Sequence, residues 1–215
     1  MAGTMITKKL LVGGLAAAAI AASFIHLFHK PTEKDEQLAT SASEALGMRA
    51  ADEVAQLLGN KGRVAILELE LRPGQAVTAV ASVQKFRETL KKHGISVERS
   101  KSIAGGLTKL VMGGGMTGSD YTTLVEGSPS VDAVVTFAGL PGMPPDELRH
   151  YQANHPPFVV VDIFGVLKGP TLPEFVEDKT VAIAFVPLLA DEAAKKANEP
   201  KMFDRYYRIL RAGAK

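Results

Sequence analysis

Asp162 stands at the end of an apolar run, 158–163, and a carboxylate so placed can accept hydrogen bonds from the hydroxyl or amine of a ligand. A local role competes with this one, because aspartate side chains also accept the backbone N–H groups of the loop that follows them. Asp120 and Tyr121 come directly after a glycine-rich stretch and are candidates for the same edge, with solvation of a helix start as the simpler use. The sequence around Asp162 carries no acid-base or metal-ligand motif, so its chemistry points to binding rather than bond-making.

Other catalytic constellations are absent from the sequence. There is no cysteine, which removes a thiol nucleophile, and no nucleophile-elbow motif. His93, His150 and His155 are dispersed without metal-ligand spacing. No catalytic residue, metal or cofactor is therefore expected. Gly105-Gly106 and Gly113-Gly114-Gly115 could aim backbone amides at an anion, but no lysine followed by serine or threonine completes a phosphate loop. Leu110, Val111, Met112 and Met116 make this stretch apolar, and Leu110, Met112 and Met116 are expected to contact another subunit. In the terminal segment, 199–215, Tyr206 and Tyr207 lie among Arg205, Arg208 and Arg211. That composition suits a partner surface, or a last element folded back on its own sheet.

The elements that must position these groups follow from periodicity. Leu46, Ala50, Val54, Leu57 and Leu58 recur at helical spacing within 38–58, and Gly59-Asn60 supplies a stop. The apolar run 64–69 reads as a buried strand, 77–93 as a helix ended by Gly94, and 95–99 as a second strand. A short helix capped by Ser119 runs to 126, then strands at 131–137, 158–163 and 181–186 alternate with helices at 144–154 and 172–178. The expectation is an α/β domain with a single open parallel sheet of about five strands in the order 2-1-3-4-5 and helices on both faces. Ligands of such sheets bind beyond the carboxyl ends of the strands, which is where Asp162 falls.

The chain opens with a different kind of segment. Lys8 and Lys9 precede nineteen uncharged, mostly apolar residues, 10–28, long enough as a helix to cross about 28 Å. The reading is a cytoplasmic stretch at 1–9, one transmembrane signal anchor at 10–28, a linker at 29–37, the α/β domain at 38–198 and an extension at 199–215. A signal peptide cleaved near Ala19-Ile20-Ala21 is the alternative. The charge order places the N-terminus inside and the domain on the periplasmic side of the inner membrane. Gly13, Ala17 and Ala21, beside Gly14 and Ala18, form a small-residue face suited to packing against another helix in the bilayer. His26 and His29 close this span, where interfacial solvation competes with ligation of a partner's haem or pigment metal. The net charge of +2, with both signs interspersed, argues against nucleic acid as a partner.

The segment GMRAADEVAQLLGNKGRVAIL, 47–67, resembles the start of the C-terminal lobe of sugar-binding-type periplasmic binding proteins. The likeness continues through QKFRETLKKHGISV, 84–97, PSVDAVVTFAG, 129–139, and PFVVVDIFG, 157–165, in matching order. The resemblance implies a parallel α/β lobe and a ligand contact at Asp162. It also implies two lobes that trap a ligand, and this chain has room for one. Ala138 and Gly139 stand where an asparagine-aspartate pair is usual, and Phe185-Val186-Pro187 where a glutamine is usual. Losing those partners argues against high-affinity monosaccharide capture, since each buried hydroxyl left unpaired costs about 1–3 kcal/mol. The functional expectation is a non-catalytic, membrane-anchored accessory subunit that binds other subunits of a membrane complex. The alternative is a tethered periplasmic component that binds or senses a sugar or small metabolite.

Overall fold

A computed structural model describes residues 32–70, 77–105, 116–127, 130–165, 167 and 171–212. The chain divides into two units, 1–38 and 39–215. The expected anchor 10–28 with its Gly13, Gly14, Ala17, Ala18 and Ala21 face, His26 and His29, and Leu110 and Met112 lie outside the described residues. Among the described residues no helix is long and apolar enough to cross a membrane.

Helix α1 spans Glu33–Leu57, so the expected linker is already helical from Glu33. The Thr32 hydroxyl accepts the Asp35 N–H while the Asp35 carboxylate accepts the Thr32 N–H, a reciprocal cap that starts the helix early. The order then runs β1 (Gly62–Leu69), α2 (Val77–Lys92), β2 (Ile95–Ile103), α3 (Gly118–Glu126), β3 (Ala133–Thr136), α4 (Pro145–Gln152) and β4 (Phe158–Val161). It ends with α5 (Thr171–Glu177), β5 (Ile183–Pro187), α6 (Ala190–Lys195), α7 (Met202–Tyr206) and β6 (Tyr207–Arg211).

The sheet has six strands in the order β2-β1-β3-β4-β5-β6. The first five are mutually parallel, whereas β6 pairs antiparallel with β5, with Pro187 opposite Tyr207 and Ile183 opposite Arg211. The expected purely parallel sheet of five is thereby corrected to a mixed sheet of six. The physical reason is that the chain after β5 makes two short helices and returns, so β6 covers the edge that β5 would otherwise leave open.

Each face of the sheet has its own core. On one face α1, α2 and α7 bring Leu46, Val54, Phe86, Leu90 and Phe203 against Val64, Ile66, Val135 and Phe185. On the other, α3, α4 and α5 bring Tyr121, Leu148 and Phe175 against Leu67, Val134, Val160 and Ala184. Helices α1 and α2 approach closely at Gly47, where a Cβ would fall well inside contact distance of the Ser82 carbonyl oxygen. Glu53, buried on α1, pairs with Arg49 at 2.7 Å and with Arg211 of β6 at 2.5 Å, tying the last strand to the first helix.

Candidate functional site

The carboxyl ends of β1, β3, β4 and β5 open into two clefts, one on each face, and Phe164 lines both. The first, of about 430 Å³, lies between α2 and the sheet. Its helix wall is Ala79, Val80, Val83, Gln84 and Arg87, and its sheet wall includes Glu68, Phe137 and Ile163. Val80 is 51% exposed, an apolar side chain left at the rim.

Two polar residues of this cleft, Arg87 and Glu68, are engaged with each other, and Gln84, Glu70 and Ser102 also line it. Nη2 of Arg87 donates to Glu68 Oε1 at 2.9 Å and to Ser100 Oγ at 2.7 Å, and the Ser100 hydroxyl donates to Glu68 at 2.9 Å. Ser100 can take part because β2 is bulged: Val97 faces Val64 and Arg99 faces Ala65, so Glu98 is the extra residue. After that bulge the side-chain alternation is reset, and Ser100 meets Arg87 on the α2 face. At the end of β3, the Thr136 hydroxyl donates to the Gly139 carbonyl and accepts the Ala138 N–H, both at 3.0 Å. Ala138 and Gly139 are the positions where the resembled family places an asparagine-aspartate pair, and here they form a self-satisfied turn.

The second cleft, of about 540 Å³, lies on the opposite face and contains Asp162. Leu167, Leu172, Val186, Leu188 and Leu189 supply its apolar wall, and Arg208 its cation. Asp162 is 4% exposed, and its Oδ2 accepts the Leu167 N–H at 3.1 Å. The carboxylate thus holds the loop that separates the two clefts, a turn that passes through Gly165 at φ +64°. Arg208 pairs with Glu192 at 3.2 Å.

The structure does not bring the other two ligand candidates to Asp162. Asp120 sits at N3 of α3 in a capping box with Thr117, two residues before the expected cap at Ser119. Its carboxylate meets Lys101 at 2.8 Å. The hydrogen bond from Lys101, then that from the Thr117 hydroxyl, holds its pKa at about 2, below the ordinary 3.8. Tyr121 is wholly buried against Phe158 and Tyr151, at the amino end of β4, and its hydroxyl donates to Gln152. Burial pushes that phenol well above its ordinary pKa.

The expected partner contacts are partly absorbed by the domain itself. Met116 is buried in the core under α3, and Tyr207 is buried with its ring stacked on Phe203 at 5.9 Å. Tyr206 is half-buried and packs beside the same core. Sequence reasoning missed the α2 cleft altogether. One signal was present: Glu68 interrupts an apolar strand, and a charge in that position calls for a partner such as Arg87 on the next helix.

No family model matches the sequence, and no curated protein does. Solved structures do resemble the fold. An ABC transporter solute binding protein from Burkholderia graminis, in complex with D-arabinose, superposes with a TM-score of 0.54 and 15% identity, covering 79% of this chain and 59% of that one. A periplasmic solute binding protein from Actinobacillus succinogenes with bound D-allose gives 0.53 and 17%, covering 79% and 59%. AraP, an arabinose binding protein from Geobacillus stearothermophilus, gives 0.52 and 13%, covering 79% and 60%. The fold is periplasmic-binding-protein-like, and the chain spans less than two thirds of the length of these proteins.

Proposed function

We propose that this chain is a solute-binding or solute-sensing component that acts on the periplasmic side, holding a small molecule at the carboxyl edge of its sheet. The observation that carries this reading is the pair of clefts that meet at Phe164, in the place where open α/β sheets hold ligands. Likeness of fold to proteins solved with D-arabinose and D-allose supports it. Asp162 contributes by fixing the loop between the clefts. The role proposed is binding, with Asp162, Glu68 and Arg87 each engaged in holding the walls of the clefts.

Thermal-shift screening of the full chain against sugars and small metabolites tests the reading. A true ligand at 100 times its Kd stabilises the fold by about 2.7 kcal/mol and raises Tm accordingly. No stabilisation by any compound overturns the reading.

A second reading, an accessory subunit that contacts other proteins through the same edge, is favoured by Val80 and by Leu189, which is 64% exposed in the Asp162 cleft. Co-purification of a stoichiometric partner that is released by Leu189→Asp supports this reading, and an unaltered monomer counts against it.

A further inference from the structure

We infer that the α2 cleft accepts a compact apolar molecule, aromatic or branched aliphatic, in preference to a sugar. This rests on the solute-binding reading and adds the chemical class of the ligand.

Three observations converge. Apolar residues are the majority of the lining, with Ala79, Val80 and Val83 from α2 and Phe137, Ile163 and Phe164 from the sheet edge. Three of the five polar residues of the lining are already engaged, Arg87 and Glu68 with each other and with Ser100, and Gln84 with Glu88 at 3.2 Å, beside Glu70 and Ser102. Asp162 lies in the other cleft, where it accepts the Leu167 N–H. A sugar entering here would give up water at more hydroxyls than the few uncommitted polar groups can serve, and each hydroxyl left unpaired against the apolar walls is penalised. An apolar molecule makes the opposite exchange, removing its own surface and that of the half-exposed Val80 from water. The volume of about 430 Å³ is within the range of small-ligand sites.

Indole, D-arabinose and D-allose serve as probes in titrations of the full chain, followed by the methyl resonances of Val80, Val83 and Ile163. Indole is expected to shift these methyls along a saturable curve while both sugars at equal concentration leave them in place. Val80→Asp should weaken indole at least tenfold with the resonance dispersion of the folded protein retained, since Val80 is at the rim. Met48→Asp, an equally exposed change on α1, should leave the indole curve unchanged. Sugars that saturate the three methyls while indole is silent would overturn the ligand class and leave the solute-binding reading standing. Silence of indole at these methyls overturns the class as well, and only silence across the wider metabolite screen removes the solute-binding reading with it. Indole binding that ignores Val80→Asp places the probe elsewhere and overturns the assignment to this cleft.

Discussion

The α2 cleft and the Asp162 cleft share Phe164 and one sheet edge, yet the first has one helix wall, α2, and the second combines the loop after β4 with residues of α5, α6 and β6. The α2 wall is held from behind, because α2 is pressed on α1 at Gly47 and Ser82. The loop part of the other wall is held by the Asp162 carboxylate, which accepts the Leu167 N–H. A helix wall resists change through packing, whereas a loop wall responds to the loss of one polar group. The Asp162 cleft is therefore expected to be reshaped by a single substitution more readily than the α2 cleft.

The sharpest way to break this contrast is Gly47→Ala. Its methyl forces α1 and α2 apart, and overpacking of this kind costs about 3 kcal/mol. Urea unfolding measures the loss, and a variant as stable as the parent would show that the helices are not tightly apposed. Asp162→Ala comes next, at about 2 kcal/mol, because it leaves the Leu167 N–H without its acceptor. Protease cutting between 162 and 167 should quicken while the Val80 and Val83 methyl resonances stay in place. Movement of those methyls would mean that the clefts are coupled through Phe164.

Arg87→Met is expected to cost about 1 kcal/mol or less, since Glu68 and Arg87 are both partly solvated. It leaves Glu68 without its cation, so indole affinity should change more than stability does. The smallest effect is at Asp120, which lines neither cleft. Because its folded pKa is depressed to about 2, its contribution is complete above the ordinary value of 3.8 and fades as pH falls from there to about 2. Asp120→Asn should therefore lower stability by about 0.5–1 kcal/mol at pH 7 and flatten the acid limb between those values. An acid limb identical to the parent's would deny Asp120 that role.

Much of the framework is legible in the residues. The apolar runs at 64–69 and 158–163 and the helical spacing of Leu46, Ala50 and Val54 mark elements that the structure contains, since a buried strand or helix face must be apolar wherever the chain goes next. The site was less readable. Asp162 is found at the carboxyl end of β4, but the sequence says nothing about which face of the sheet it serves or that Leu167 would occupy it. Tyr121 reads as exposed beside a glycine-rich stretch, and its burial depends on Gln152 and Phe158, thirty residues and more away.

Residue order alone determined the alternation of strand and helix, the apolar runs that become buried strands, and the helical spacing of Leu46, Ala50 and Val54. These are local properties, set by side-chain type and period. Only the tertiary structure decided that Tyr207–Arg211 would become an antiparallel sixth strand and that the bulge in β2 would bring Ser100 to Arg87. It also decided that the carboxyl edge would divide into two clefts on either side of Phe164. Each of these depends on register between distant segments, and register is fixed by which faces are buried together rather than by any residue's own preference.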